Sequence, residues 1–311
     1  MIKQQGWKTL NIRPSMKNWF RYIFYASLIF LVIALIRADY LVIPHVYNYT
    51  KLTVSFLLLF LGFLLNAMSW TKALKQADYA ITESDGMASQ GLSIFAKYIP
   101  GKIWVIMGRA EYLAKTYGIS RKDLGSLSFD AQFIALWSAL LLGTIGMISI
   151  HSINLYGLSV LILFSLLSLV IYTPLFHRFA ESILSKILKK QITFPKLSFL
   201  KVLKVTLWYV TNWGIWCLAF YFLAGSLVQE TLPLSISFAF GLAGSIGILA
   251  IFAPGGLGVR EGIITGYLTI VGLNLTDATT IAVTSRLWFL VGELFIFFIA
   301  LILDRRKKQS D

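Results

Sequence analysis

The sequence contains repeated apolar stretches, each long enough to cross a lipid bilayer. A transmembrane helix needs about 20 predominantly apolar residues, and such stretches recur along the whole chain rather than once near its start. Hydrophobic residues make up 57% of the 311 residues and charged residues 14%, against about 45–50% and about 25% in soluble domains. The pattern predicts an all-α polytopic membrane protein, with residues 1–311 forming a single integral membrane domain.

Seven spans are clear from hydropathy, and basic residues between them indicate their orientation. Segments rich in Lys and Arg stay in the cytoplasm, which places the N-terminal segment and the basic tail, 304–311, on that side. Two cytoplasmic ends require an even number of crossings, so we expect an eighth at 253–273 and a re-entrant hairpin at 92–115. The seven clear spans are about residues 20–36, 52–70, 129–150, 155–175, 205–227, 235–252 and 281–303.

Two of the apolar segments are interrupted by Pro-Gly pairs. Non-helical backbone at membrane depth is tolerated only inside protein or beside a wet cavity, and paired interruptions in two halves of a chain point to a transporter's binding site. Both interruptions are followed by Gly, Arg and Glu, so residues 1–150 and 155–303 are candidates for an internal inverted repeat. The hinge residues of these broken helices are Pro100, Gly101, Pro254, Gly255, Gly256 and Gly258.

Charged residues in and near the interruptions are the candidate substrate-binding groups. A broken helix exposes N–H groups that favour an anion, and an arginine adds a forked donor, which together suit a phosphate head group. Arg286 and Glu293 lie seven residues apart on the last span, about 10 Å along one helix face, so each needs a partner elsewhere. We expect Glu261 to pair with Arg286, and Arg260 or Arg109 to pair with Glu293. The candidate binding residues are Lys102, Arg109, Arg260, Glu261, Arg286 and Glu293.

Each of these residues also has a structural interpretation. Arg260 and Glu261 would then neutralise each other at the cytoplasmic interface, beside glycines that allow close helix packing. The charges of the last span would form buried structural ion pairs, and the basic residues of the first interruption would reach the interface without a specific ligand. Asp130 is interpreted as a cap at the start of the third span, with a cavity-facing role as the alternative.

Catalytic and metal-binding patterns are not found in the sequence. His45, His151 and His177 are scattered without metal-ligand spacing, and no GxxxxGK[ST] phosphate loop occurs. The formal net charge of +14 follows from cytoplasmic loops rather than from a nucleic-acid partner. We therefore expect no enzyme activity, no catalytic residue, no metal and no cofactor.

The segments KYIPGKIWVIMGR, residues 97–109, and APGGLGVREG, residues 253–262, resemble the two signature regions of a bacterial and archaeal family, the lysylphosphatidylglycerol synthase transmembrane-region family. The resemblance covers almost the whole chain and includes Arg286 and Glu293. In the multiple peptide resistance factors, a similar membrane domain is associated with flipping aminoacylated phosphatidylglycerol, and a separate soluble domain makes that lipid. The resemblance implies a flippase-like lipid transporter of cell-envelope biogenesis in the cytoplasmic (inner) membrane.

The resemblance also limits the expected activity and partners. The sequence ends eight residues after Leu303, so we expect no synthase domain and no transfer of lysine. The implied ligands are membrane lipids with anionic or prenyl-phosphate head groups, and the implied partners are a glycosyltransferase, a lipid synthase or a second copy of the chain. Two alternatives stay open: an accessory subunit that presents lipid-linked substrate to a glycosyltransferase, and an intramembrane transferase that uses Glu261 or Glu293 as a base.

Overall fold

Helices form almost all of the described structure. The computed structural model describes residues 44–99, 103–150, 155–172, 199–250 and 253–310, and within these ranges there is no strand. The described residues belong to one compact unit, Val42–Asp311. The helices are α1 Tyr49–Gln76, α2 Glu83–Leu92, α3 Trp104–Tyr117, α4 Arg121–Ile150, α5 Leu155–Tyr172, α6 Phe199–Leu227, α7 Phe238–Leu249, α8 Val259–Val271 and α9 Leu275–Ser310, and three short 3₁₀ turns lie at Ile94–Tyr98, Leu234–Ser237 and Pro254–Gly256.

Four described helices, α1, α4, α6 and α9, are long and apolar enough to cross a membrane. They contain the predicted spans 52–70, 129–150, 205–227 and 281–303, so these four predictions of helical spans are confirmed. Helix α5 covers the predicted span 155–175 as far as Tyr172. The predicted span 20–36 lies outside the described residues. The basic tail is not separate from the last span, because α9 continues through it to Ser310.

Short polar residues set where the helices begin, and glycines set where they end. The side chain of Asn48 accepts a hydrogen bond from the N–H of Lys51 (2.9 Å) at the start of α1. Thr82 caps α2 in the same way by accepting from the N–H of Asp85 (3.1 Å). Helix α3 ends at Gly118, whose φ of 68° lies in the left-handed region that glycine adopts without strain. The cap at Asn48 lies before the apolar run, so α1 begins ahead of the predicted span 52–70.

Two pairs of short helices interrupt the series of long ones. The first interrupted segment comprises α2, the turn Ile94–Tyr98 and α3, and the second comprises the turn Leu234–Ser237, α7, the turn Pro254–Gly256 and α8. Helices α7 and α8 have 12 and 13 residues, which corresponds to about 18–20 Å each, against about 30 Å for the hydrocarbon core. Each of these helices is therefore shorter than the crossing predicted for its part of the chain.

Helices α1 and α6 pack against each other along their length in antiparallel orientation. At one end the N–H of Tyr47 donates to the carbonyl of Ser226 (2.9 Å). In the middle the side chain of Asn66 donates to that of Asn212 (3.1 Å), and at the other end Lys201 pairs with Asp78 (2.6 Å). The interrupted segments pack against the other long helices, α2 on α9 and α7 on α4.

Candidate functional site

The second interruption is a glycine turn that allows very close packing. Gly255, Gly256 and Gly258 have φ values of 60°, 74° and 77°, a region that residues with a Cβ adopt only with strain. A Cβ on Gly255 would lie 2.5 Å from Cε1 of Tyr98, which belongs to the first interrupted segment. Glycine is thus required both for the turn and for the contact between the two interruptions.

Arg260 enters from the first turn of α8 and is held by aromatic rings. Its guanidinium carbon lies 4.8 Å from the ring centroid of Phe289 and 5.2 Å from that of Phe240. Its aliphatic carbons pack against Gly247 and Gly256, where a Cβ would come within 2.5 and 3.1 Å. Among the residues that the structure describes, none accepts a hydrogen bond from this guanidinium, and Glu261 and Glu293 act on it electrostatically without an ion-pair contact. The N–H donors of a fixed, partly buried arginine are therefore available to a ligand.

Arg286 connects the turn, α8 and α9. Its Nη1 donates to the carbonyl oxygen of Gly255 (2.9 Å), and its Nε lies 4.0 Å from Oε1 of Glu261. The predicted pairing of Glu261 with Arg286 is therefore confirmed. Both side chains are buried, and the second carboxylate oxygen of Glu261 has no hydrogen-bond partner among the described residues.

Glu293 is almost completely buried, with 1% of its surface exposed, and two consecutive residues of the turn Ile94–Tyr98 hold it. The Lys97 ammonium forms an ion pair with Oε1, and the Tyr98 hydroxyl donates to Oε2 (2.8 Å). The expectation that Arg260 or Arg109 pairs with Glu293 was wrong. The sequence analysis missed Lys97, although an ionisable residue three positions before Pro100 in an apolar run carries the same signal that singled out Arg260.

These residues form one charged cluster with an excess of positive charge. Three cations, Lys97, Arg260 and Arg286, face two carboxylates, Glu261 and Glu293, and electrostatic interactions connect them across the cluster. With all five groups ionised, three positive and two negative charges leave a net charge of +1. The charged cluster, defined by these five residues and Tyr98, can therefore accept an anion without burying a net negative charge.

Arg109 lies in a different environment, so the structure does not bring it to the charged cluster. It is 2% exposed, donates to Gln90 Oε1 (2.9 Å) and to the hydroxyl and carbonyl of Ser128, and stacks on Trp70. Gln90 in turn donates to Asn66 (3.0 Å). Arg109 thus belongs to a buried polar network of neutral groups that reaches α1 and α6.

The remaining predicted positions are placed as follows. Pro100, Gly101 and Lys102 lie outside the described residues. Asp130 is the tenth residue of α4, which begins at Arg121, so its interpretation as a helix cap was wrong. In the described part of the chain, no group of three or more His, Cys, Asp or Glu side chains is arranged to hold a metal ion.

The long apolar helices, the two interrupted segments and the charged cluster between them define a multi-pass, all-helical membrane protein. The family model for the lysylphosphatidylglycerol synthase TM region matches residues 18–299, and the chain therefore belongs to that family. This confirms the resemblance seen in the two Pro-Gly segments and points to a lipid-related role in a membrane. No curated protein and no solved structure matches the chain.

Proposed function

We propose that this protein is a lipid flippase: it moves the phosphate-bearing head group of a phospholipid or a prenyl-linked lipid between the leaflets of the membrane. The observation that carries the proposal is Arg260, a guanidinium packed against two aromatic rings with no hydrogen-bond acceptor among the described residues. Glu261 and Glu293 act on it electrostatically, without an ion-pair contact among the described residues. Because the rings accept no conventional hydrogen bond, the N–H groups of the guanidinium remain for forked hydrogen bonds to phosphate oxygens.

The charge of the cluster supports an anionic ligand. Its net charge of +1 favours a head group with one negative charge, because binding then leaves the buried site neutral. The first-turn N–H groups of α8 add a positive helix terminus beside Arg260, since the cap residue Gly258 offers no side-chain acceptor. Lipid tails would remain in the bilayer while the head group occupies the cluster.

Family membership supports a lipid as the ligand, and the sequence supports the orientation. We propose that the N- and C-termini are cytoplasmic and that the protein resides in the cytoplasmic membrane, where it serves cell-envelope biogenesis. We also propose that the chain has no enzyme activity of its own, since the cluster pairs both carboxylates with cations rather than with a nucleophile.

The test is head-group translocation by purified protein in liposomes that contain fluorescent phosphatidylglycerol or prenyl-phosphate analogues. Arg260→Ala should lower the rate about tenfold or more, since hydrogen bonds to charged groups contribute about 1.5–3 kcal/mol each. Arg305→Ala is the matched control, because it removes the same charge from an exposed position on α9. Equal translocation rates for the wild type and Arg260→Ala would show that Arg260 does not bind the head group.

A second candidate function is an accessory subunit that presents lipid to a glycosyltransferase or lipid synthase. The same cluster favours it, because holding an anionic head group requires the same groups as moving one. Wild-type protein that binds the lipid analogues but moves none of them would select this function. Product formation by the purified protein alone would instead select a transferase that uses Glu261 or Glu293.

A further inference from the structure

The order of helices repeats within the described residues. A long helix, two short helices with a turn between them and a second long helix occur as α1 to α4, and again as α6 to α9. The corresponding long helices have 28 and 29 residues at the start, and 30 and 36 at the end. The packing repeats as well, because α2 lies against α9 while α7 lies against α4.

The two copies run in opposite directions. Helices α1 and α6 occupy the same place in the repeat and are antiparallel, as the contacts Tyr47 to Ser226 and Asp78 to Lys201 show. A relation of this kind is that of an inverted repeat, with its axis in the plane of a membrane.

The first and last residues of each interrupted segment lie close together, and we call this side of the segment its open end. In the first, the Tyr117 hydroxyl near the end of α3 accepts from the N–H of Thr82 (3.2 Å) and donates to Asp85 at the start of α2. In the second, the Tyr267 hydroxyl on α8 donates to the carbonyl of Ser235 (2.9 Å), just before α7. A tyrosine hydroxyl therefore joins the two ends of each segment by hydrogen bonds.

Helix α9 shows how deep the two segments reach. The open end of the first segment lies at the C-terminal end of α9, where Asp85 pairs with Lys307 (2.8 Å), and its tip reaches Glu293, about 21 Å back along the helix. The open end of the second segment adjoins Leu275, the first residue of α9. Its tip reaches Arg286, about 16 Å into the helix.

We propose that the two interrupted segments are re-entrant hairpins that enter from opposite faces of the membrane, and that their touching tips form the barrier between the two leaflets. The barrier consists of Tyr98 against Gly255, with Arg286 bound to the Gly255 carbonyl and placed 5.4 Å from the Tyr98 ring. Arg260 lies beside this contact. The barrier role rests on the proposed translocation, whereas the depth of the tips does not.

This arrangement changes the predicted topology from eight crossings to six. Helices α7 and α8 then form one hairpin instead of two crossings, and α1, α4, α5, α6 and α9 cross together with the predicted span 20–36. Six is an even number, so both termini stay on the same side. The turn Pro254–Gly256 moves from the cytoplasmic face, where the eight-crossing topology places it, to the interior of the membrane.

The depth of the second tip is the first test. Spin labels are introduced at Leu257 and at the exposed α9 positions Leu275, Leu294 and Ile302, in a Cys217→Ala background that removes the single cysteine. The accessibility of each label to oxygen and to a nickel chelate then measures its depth in liposomes. The label at Leu257 should lie at the depth of the label at Leu294 or closer to the membrane face that holds Leu275. A depth equal to that of Ile302 would overturn the hairpin and restore the eight crossings.

The barrier is tested by cross-linking the tips. Tyr98→Cys and Gly255→Cys are combined, which removes the ring that a side chain at position 255 would meet. Translocation of fluorescent phosphatidylglycerol is compared in one sample before and after reduction. The reduced form of this variant gives the reference rate, and the cross-linked form should be at least tenfold slower than it. Equal, measurable rates in the two forms would show that the tips do not separate. Wild-type protein that moves no lipid would overturn the proposed function and leave the depth result standing.

Discussion

Arg109 and Arg260 both follow Pro-Gly interruptions, but their surroundings are opposite. Arg109 is fully buried, donates to acceptors on Gln90 and Ser128, and lies over the ring of Trp70. Arg260 is partly buried and stacked on two rings, and no described residue accepts its hydrogen bonds. We expect an arginine saturated by its own protein to stabilise the fold, whereas one held in place without acceptors keeps its hydrogen-bond donors for the proposed ligand.

The largest expected effect is at the contact that holds the first tip on α9. Lys97→Glu or Glu293→Lys should each destabilise the protein by about 3–5 kcal/mol, because either change leaves buried like charges in place of a buried ion pair. The double variant should recover most of the melting temperature in detergent, since it restores opposite charges. If the double variant is no more stable than the single ones, Lys97 and Glu293 do not stabilise each other directly.

The next effect tests the comparison of the two arginines. Arg109→Met should cost about 3 kcal/mol, because it leaves the acceptors on Gln90 and Ser128 buried without donors. Arg260→Met should change the melting temperature little, since no described acceptor loses a partner, and should instead lower lipid translocation. Equal losses of stability in the two variants would contradict the distinction between them.

A smaller effect separates the two glycines that have similar backbone angles. Gly118→Ala and Gly255→Ala both place a Cβ at positive φ, 68° and 60°, which costs about 1–2 kcal/mol. No atom lies within 4 Å of the Cβ at 118, whereas the Cβ at 255 meets Tyr98. Gly255→Ala should therefore lower the melting temperature more and should also slow translocation, while Gly118→Ala should affect stability alone.

The smallest effect concerns the open end of the first interrupted segment. Burial raises the pKa of Asp85, but hydrogen bonds from Lys307, Tyr117 and Thr82 outweigh it and hold the pKa below the ordinary 3.8. Because the folded pKa is lowered, this stabilisation is present above the ordinary value and is lost as the pH falls through the folded value.

Asp85→Asn should therefore lower the melting temperature at neutral pH by an amount that corresponds to about 1 kcal/mol. The difference from the wild type should shrink as the solution is acidified. Asp78→Asn, which removes an exposed partner of Lys201, is the control for loss of one negative charge. A difference that stays constant down to the most acidic pH would exclude Asp85 as its source.

The sequence was sufficient for the parts of the fold that depend on composition and local pattern. Long apolar runs identified α1, α4, α6 and α9, and the charges on the last span correctly required partners elsewhere, of which Glu261 for Arg286 was found. Hydropathy does not distinguish a short helix that turns back from one that crosses. For that reason the depth of the second interrupted segment could not be deduced from its composition.

The partner of Glu293 required information that spacing does not contain. Lys97 and Glu293 are 196 positions apart, and only the packing of the turn Ile94–Tyr98 against α9 brings them together. The likeness between the two Gly-Arg-Glu patterns was misleading for a similar reason. Arg260 is the second residue of α8, whereas Arg109 is the sixth residue of α3, so the two side chains leave their helices one turn apart.

The attachments of α9 determine which part of the molecule is free to shift. Lys97 at the tip, Tyr112 bonded to Asp304, and Asp85 bonded to Lys307 fasten the first interrupted segment to this helix at three levels. A segment attached at three positions along α9 cannot rotate relative to that helix. We therefore expect the segment and α9 to move as one rigid body, and the opposite segment, which Arg286 joins to α9, to bend at its glycines 255, 256 and 258.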